Sequence, residues 1–148
     1  MRLYLDCCCY NRPFDAASND RIHDESEAVL SVINRCRKGA HTILGSSVLR
    51  LEIDKIRDPG KKGKVQLLYS ASTSFVPYTE EIKKRAEALR VDTSIRLMDS
   101  LHLASAEAGK ADIFLTTDDK LIRGCKNIQT ALRVLNPVAF LAEVIMND

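Results

Sequence analysis

The sequence predicts an α/β fold built on a mainly parallel sheet of four to five strands with helices on both faces. Two observations carry this. Short apolar runs (RLYL, HTIL, SFVPY, IFLT, ALRVL) alternate with stretches of helical period along the whole chain. Helix-capping signals stand between them: Ser46 or Ser47, Thr79, and Asn136 followed by Pro137. The length of 148 residues, with no linker or repeat, favours one domain over residues 1–148.

The elements follow in order. RLYL is a strand ending at Asp6, and Asn11, Arg12 and Pro13 mark a loop. Residues 20–38 form a helix with Ile22, Val29, Val32 and Ile33 on its apolar positions and Gly39 at its C-terminal cap. HTIL is a second strand. The next helix runs to about Arg57 with Leu49, Ile53 and Ile56 on one stripe, and Asp58, Pro59 and Gly60 break it. KKGK is a loop or helix start before a helical VQLLYSA. SFVPY is a strand that Pro77 confines to an edge. Thr79 caps a helix with Glu80 and Glu81 in its first turn, which suits the helix dipole. A helix over 95–109, the strand IFLT, a short helix near Asp118, the strand ALRVL and a terminal helix complete the chain.

Composition sets limits. Hydrophobic content of 45% and charged content of 28% are those of an ordinary globular chain. A net charge of +2 gives no bulk argument for nucleic acid or membranes. No apolar run approaches the roughly 20 residues of a membrane helix. Asp6 cuts off the first apolar stretch after three residues, so no secretory signal is expected. The five cysteines include the consecutive Cys7, Cys8 and Cys9 and no CxxC spacing. They read as reduced, largely buried thiols of a cytoplasmic protein.

Four carboxylates stand out: Asp6 closing the first strand, Glu52 sharing a stripe with Val48 and Ile56, Asp99 within an otherwise apolar helix, and Asp118 after IFLT. Burying an unpaired carboxylate is costly. Carboxylates in open α/β sheets that lie past the C-terminal strand ends share one crevice. Asp6 and Asp118 meet that condition, and Glu52 follows another strand by one to two turns. Four oxygen donors suit a hard divalent cation, Mg2+ or Mn2+, which activates water and stabilises charge on a phosphodiester. Other roles compete. Glu52 is equally well explained by a surface pair with Lys55. Arg96 three residues before Asp99 could neutralise it, although the apolar surroundings favour a functional role. Asp118 and Asp119 suit a first helical turn after a Thr117 cap, and Asp6 suits a turn. His102 reads as a packed or hydrogen-bonded residue.

RLYLDCCCYNRPFD, SSVLRLEI, MDSLHLASAEAGKADIFLTTDDKLI and LNPVAFL, in this order, resemble the PIN-domain nucleases along nearly the whole chain. The resemblance implies a three-layer α/β/α sandwich. It places Asp6, Glu52, Asp99 and Asp118 in the metal-binding acidic set, with Thr116 as the threonine of a T-x-D segment and Asp119 as an alternative to Asp118. The family usually carries threonine, serine or asparagine just after the first aspartate. Cys7 and Cys8 stand there instead, which weakens a hydrogen bond that orients Asp6, with Asn11 and Arg12 as candidate substitutes. The implied activity is Mg2+- or Mn2+-dependent hydrolysis of single-stranded or unpaired RNA. Many small relatives are toxins that form homodimers and are blocked by a cognate antitoxin. A non-catalytic RNA- or protein-binding module is the alternative that the Cys7–Cys8 departure supports. A phosphotransfer domain is disfavoured, because those same positions lack a second acid.

From Arg50 to Lys64 six basic residues face three acids, a net +3. Arg50, Lys55, Lys61 and Lys62 of this run, together with Arg12, are the candidate RNA-backbone contacts. Arg35, Arg37 and Lys38 form a second basic cluster, and a solvated surface explains each cluster at least as well. Aromatic content of 5% gives little support for base stacking.

Overall fold

The structure, a computed structural model, describes residues 1–147. Five parallel strands form one sheet in the order β3-β2-β1-β4-β5. They are β1 (Arg2–Leu5), β2 (Thr42–Ser46), β3 (Ser74–Val76), β4 (Ile113–Leu115) and β5 (Arg133–Leu135). Eight helices flank them: α1 (Cys7–Asn11), α2 (Asp20–Arg37), α3 (Ser47–Asp54), α4 (Pro59–Tyr69), α5 (Glu80–Leu89), α6 (Leu97–Ala108), α7 (Asp119–Cys125) and α8 (Pro137–Met146). A 3-10 turn spans Arg12–Phe14. α2 packs on α8, and α5 packs on α6. Leu3, Tyr4 and Leu5 of the central strand are all fully buried, as a strand covered on both faces requires.

Local chemistry explains the element starts. The side chains of Ser46, Thr79 and Asn136 accept from backbone N–H groups of α3, α5 and α8. Gly39, one residue past the α2 cap, adopts φ +90°, the left-handed conformation that ends a helix and favours glycine. Gly45 admits the Tyr69 hydroxyl, which a side chain there would meet head-on.

Two expectations change. Asn11, Arg12 and Pro13 are not a loop: Asn11 ends the helix Cys7–Asn11, which Asp6 caps through its own side chain, and Arg12 and Pro13 begin the 3-10 turn. Asp58, Pro59 and Gly60 end nothing: α3 has already stopped at Asp54, and Asp58 caps α4 with Pro59 at its first position.

This strand order fixes where a site can form. The chain moves from β1 outward through β2 and β3, then crosses back to β4 on the other side of β1. β1 and β4 therefore border the point where the connection direction reverses, and a crevice opens beyond their carboxyl ends. Asp6 follows β1 directly, and Thr116 to Asp118 follow β4. Among the described residues, no helix is long and apolar enough to cross a membrane.

Candidate functional site: an acidic cleft at the sheet switch point

Asp6, Glu52, Asp99 and Asp118 line one cleft of about 460 Å³ together with Cys8, Arg96, Leu97 and Met98. The four acids come from four segments, at the ends of β1 and β4 and on α3 and α6. A smaller adjoining pocket shares Arg96, Asp99 and Asp118 and adds Lys120.

Asp6 is the deepest of the four, 6% exposed. Its Oδ1 accepts from the Cys7 N–H at 2.8 Å, and its Oδ2 accepts from the Thr116 hydroxyl at 2.9 Å and the Cys8 thiol at 3.4 Å. Thr116 thus supplies the orienting hydrogen bond that the cysteines were expected to weaken, and the thiol adds a long one. The Asp118 N–H donates to the same Thr116 oxygen at 3.1 Å, which couples the two strand ends. Asn11 turns away, donating to the Cys7 carbonyl at 3.0 Å.

Glu52 accepts a hydrogen bond from Nε2 of the buried His102. Nδ1 of that ring meets the Tyr4 hydroxyl at 2.7 Å. His102 is therefore the packed, hydrogen-bonded histidine the sequence indicates, yet both its nitrogens point into the network behind the cleft. Asp118 uses Oδ1 to accept from the Lys120 and Leu121 N–H groups and so caps α7. Asp99, in the first turn of α6, has no hydrogen bond or ion pair among the described residues. Arg96 lines the same cleft without pairing with it.

Asp118 and Asp119 separate clearly. Asp119 points out of the cleft and is held by Arg21 through bonds of 2.8 and 3.0 Å, while Arg21 also donates to the Thr117 carbonyl at 3.0 Å. Arg21 in turn lies 3.3 Å from the buried Glu25, which Asn136 also contacts. Sequence reading missed this clasp, since nothing in the chain links position 21 to position 119.

The electrostatics are those of crowded acids. Burial pushes the Asp6 carboxyl above its ordinary range, although His102 and Thr116 pull it down. Burial, then Asp6 and Asp118, pushes Asp99 up to about 6. Glu52 moves the other way: burial opposes its charge, but the His102 hydrogen bond and charge outweigh that and lower it. For His102 burial opposes the charge too, yet Glu52 and Asp6 raise it. No Lys or Arg pairs with any of the four acids among the described residues. The carboxylate-rich donor set, the raised Asp6 and Asp99, and the want of a Lys or Arg partner fit a hard divalent ion. Ligand atoms of Asp6, Glu52 and His102 lie within 4.8 Å of one another.

The expected RNA contacts are placed elsewhere. Arg12 turns inward to Asp15 at 3.2 Å and to within 3.1 Å of Glu25. Lys61 reaches Asp15 at 3.5 Å, and Lys62 donates to the Asp54 carbonyl at 3.1 Å. Arg50 lies over the Phe75 ring at 4.2 Å. None of these, nor Lys55, lines the cleft. The cations beside the acids are Arg96 and Lys120. Arg96 had been weighed only as a neutraliser of Asp99, and Lys120 carries no signal beyond standing two residues from Asp118. All five cysteines are free thiols.

The comparisons agree on the fold. FitAcB from Neisseria gonorrhoeae is 16% identical and superposes with a TM-score of 0.56, covering 91% of this chain and 97% of its own. VapBC2 from Rickettsia felis, bound to a DNA fragment from its promoter, is 17% identical with a TM-score of 0.59, covering 90% and 98%. A toxin–antitoxin complex from Klebsiella pneumoniae is 17% identical with a TM-score of 0.56, covering 93% and 98%. No curated protein sequence is a significant match. The PIN domain model matches residues 11–127, a span that contains Glu52, Asp99 and Asp118 and begins after Asp6. With most of its length matched and its five-stranded parallel sheet in place, the chain belongs to the PIN domain family.

Proposed function

We propose that this chain is a Mg2+- or Mn2+-dependent endoribonuclease that hydrolyses single-stranded or unpaired RNA. One observation carries the reading: four carboxylates from distant segments converge on one cleft, with no Lys or Arg paired to them among the described residues. In this reading Asp6, Glu52, Asp99 and Asp118 hold the ion, and Thr116 orients Asp6. A divalent ion there lowers the pKa of water and stabilises charge on the phosphodiester. Arg96 and Lys120, on the same rim, hold the substrate phosphate beside the acids. Burial and the neighbouring acids push the Asp99 carboxyl up to about 6, so its protonation lowers activity on the acid side.

The assembly partners follow the neighbours. The Klebsiella pneumoniae neighbour is described as a toxin–antitoxin complex, which supports a toxin role with a cognate antitoxin; the homodimer rests on the family resemblance alone. The test is cleavage of unstructured RNA with Mg2+ or Mn2+ by wild type, Asp6→Asn and Asp99→Asn. Cleavage by wild type alone is expected, and equal activity in all three would sink the assignment.

A further inference from the structure

Tyr4 and His102 are fully buried polar side chains that lie behind the acids and have no place in the reading above. The Tyr4 ring stacks on Phe114 of the neighbouring strand, with centroids 5.3 Å apart and an interplanar angle of 9°. Its hydroxyl stands 2.7 Å from the Ser46 hydroxyl and 2.7 Å from Nδ1 of His102. Nε2 of His102 reaches Glu52. Ser46 accepts from the Leu49 N–H at 3.0 Å, at the start of the same helix that carries Glu52. β1, β2, α3 and α6 are thereby tied together at one point.

The direction of this chain is constrained. The Leu49 N–H donates to Ser46, so the Ser46 hydrogen is available to Tyr4. With a neutral imidazole, Ser46 donates to Tyr4, Tyr4 donates to Nδ1, and the ring hydrogen sits on Nε2 facing Glu52. With a charged imidazole, Nδ1 donates to Tyr4, whose hydroxyl turns to Ser46. Glu52 keeps an N–H donor in both states. This matters because the Glu52 side chain is long, 30% exposed and projects from a short helix. The network removes that freedom.

We infer that Tyr4 and His102 are positioning residues, a buried hydrogen-bond chain from Ser46 that holds Glu52 in the orientation from which it ligates the divalent cation. This rests on the cation reading above. His102 is close enough to Asp6 and Glu52 to be considered a ligand itself. Both of its ring nitrogens are already engaged, however, and its ring has no exposed surface. Supporting hydrogen bonds of this kind change metal affinity by about 10–100-fold.

Mn2+ binding to the full chain, measured by calorimetry and by electron paramagnetic resonance, tests the inference. Tyr4→Phe keeps the ring stack and removes one hydroxyl, so its fold is retained. It is expected to weaken Mn2+ about tenfold and His102→Ala about a hundredfold. His102→Gln, which returns an N–H donor to Glu52, recovers part of the loss. In a Glu52→Gln background, Tyr4→Phe is expected to have no further effect. A Tyr4→Phe protein that binds like wild type overturns the inference, and so does an equal loss in the Glu52→Gln background. Pulsed resonance showing nitrogen directly bound to Mn2+ would make His102 a ligand and overturn it as well. A wild-type chain that takes up no Mn2+ overturns the cation reading itself, a result distinct from the others.

Discussion

The two halves of the acidic cleft are held in opposite ways. Asp6 and Glu52 form the inner half, each fixed by hydrogen-bond donors: the adjacent Cys7 N–H and the distant Thr116 hydroxyl for Asp6, and the distant His102 for Glu52. Asp99 and Asp118 form the outer half. Asp118 spends one oxygen on capping α7, and Asp99 has no protein partner among the described residues. The inner acids are oriented by the protein before anything binds. The outer acids gain little from the protein and face each other's charge, so they contribute repulsion until a cation arrives.

The largest expected effect separates the halves most sharply. Asp6→Asn and Asp99→Asn should each lower RNA cleavage about 100-fold or more, at or beyond the cost of losing a ligand's supporting hydrogen bond. Their stabilities should diverge. Replacing Asp6 mispairs its buried donors and should cost about 1–3 kcal/mol. Replacing Asp99 removes a repelled charge and should leave the Tm of the cation-free protein unchanged or higher. Thermal melts without divalent ions read this difference, and equal losses in both variants would erase the distinction.

The pH dependence comes next. Asp99 must be ionised to bind a cation, and its carboxyl is pushed up to about 6. Mn2+ affinity should therefore fall about tenfold per pH unit below about 6, because each cation displaces one proton. The stability of the cation-free protein runs the other way. A carboxyl with a raised folded pKa binds a proton more tightly in the folded state. Its stabilising contribution is present at low pH and is lost as pH rises from the ordinary carboxylate range through about 6. Saturating Mn2+ should flatten that decline, which melts at pH 4 to 8 with and without the ion would record.

Smaller effects are expected at the rim. Arg96→Ala and Lys120→Ala should each weaken binding of single-stranded RNA and reduce the slope of log affinity against log salt by about 0.7. Lys61→Ala should not, since Lys61 sits beside Asp15 away from the cleft. The smallest effect falls on the inner half. Cys8→Ser replaces a 3.4 Å thiol contact to Asp6 with a stronger donor and should raise Tm by an amount worth less than about 1 kcal/mol. A loss of Mn2+ affinity in Cys8→Ser would mean that the thiol does more than orient Asp6.

How much of this was legible in the sequence depends on range. Caps at Ser46, Thr79 and Asn136 are local interactions spanning two or three residues; the sequence points directly to Thr79 and Asn136 and narrows the third to Ser46 or Ser47. The all-parallel sheet follows from strands alternating with helices. The Cys7–Asn11 helix was hidden because three cysteines carry little helical signal and Asp6 looks like the end of a strand, although it is also the cap. Asp58-Pro59-Gly60 fits either a break or a capped start, and only packing decides. The four acids were visible as charges in apolar settings. Their supports were not. Tyr4 looks like one more apolar strand residue, and its hydroxyl acquires a role only when residues 46 and 102 come beside it. The same difference in range separates the basic residues. Arg50 to Lys64 cluster in sequence but miss the cleft, whereas Arg96 and Lys120 are far apart in the chain and meet at its rim.

The account turns on whether the four acids act as one cation site. Crystals grown with Mn2+ test this most directly through anomalous scattering. The account predicts a peak in the cleft within bonding distance of Asp6 and Asp99, with Glu52 and Asp118 directed at it. Saturating Mn2+ with no peak there, or with Mn2+ bound elsewhere while Asp99 stays unliganded, would contradict it.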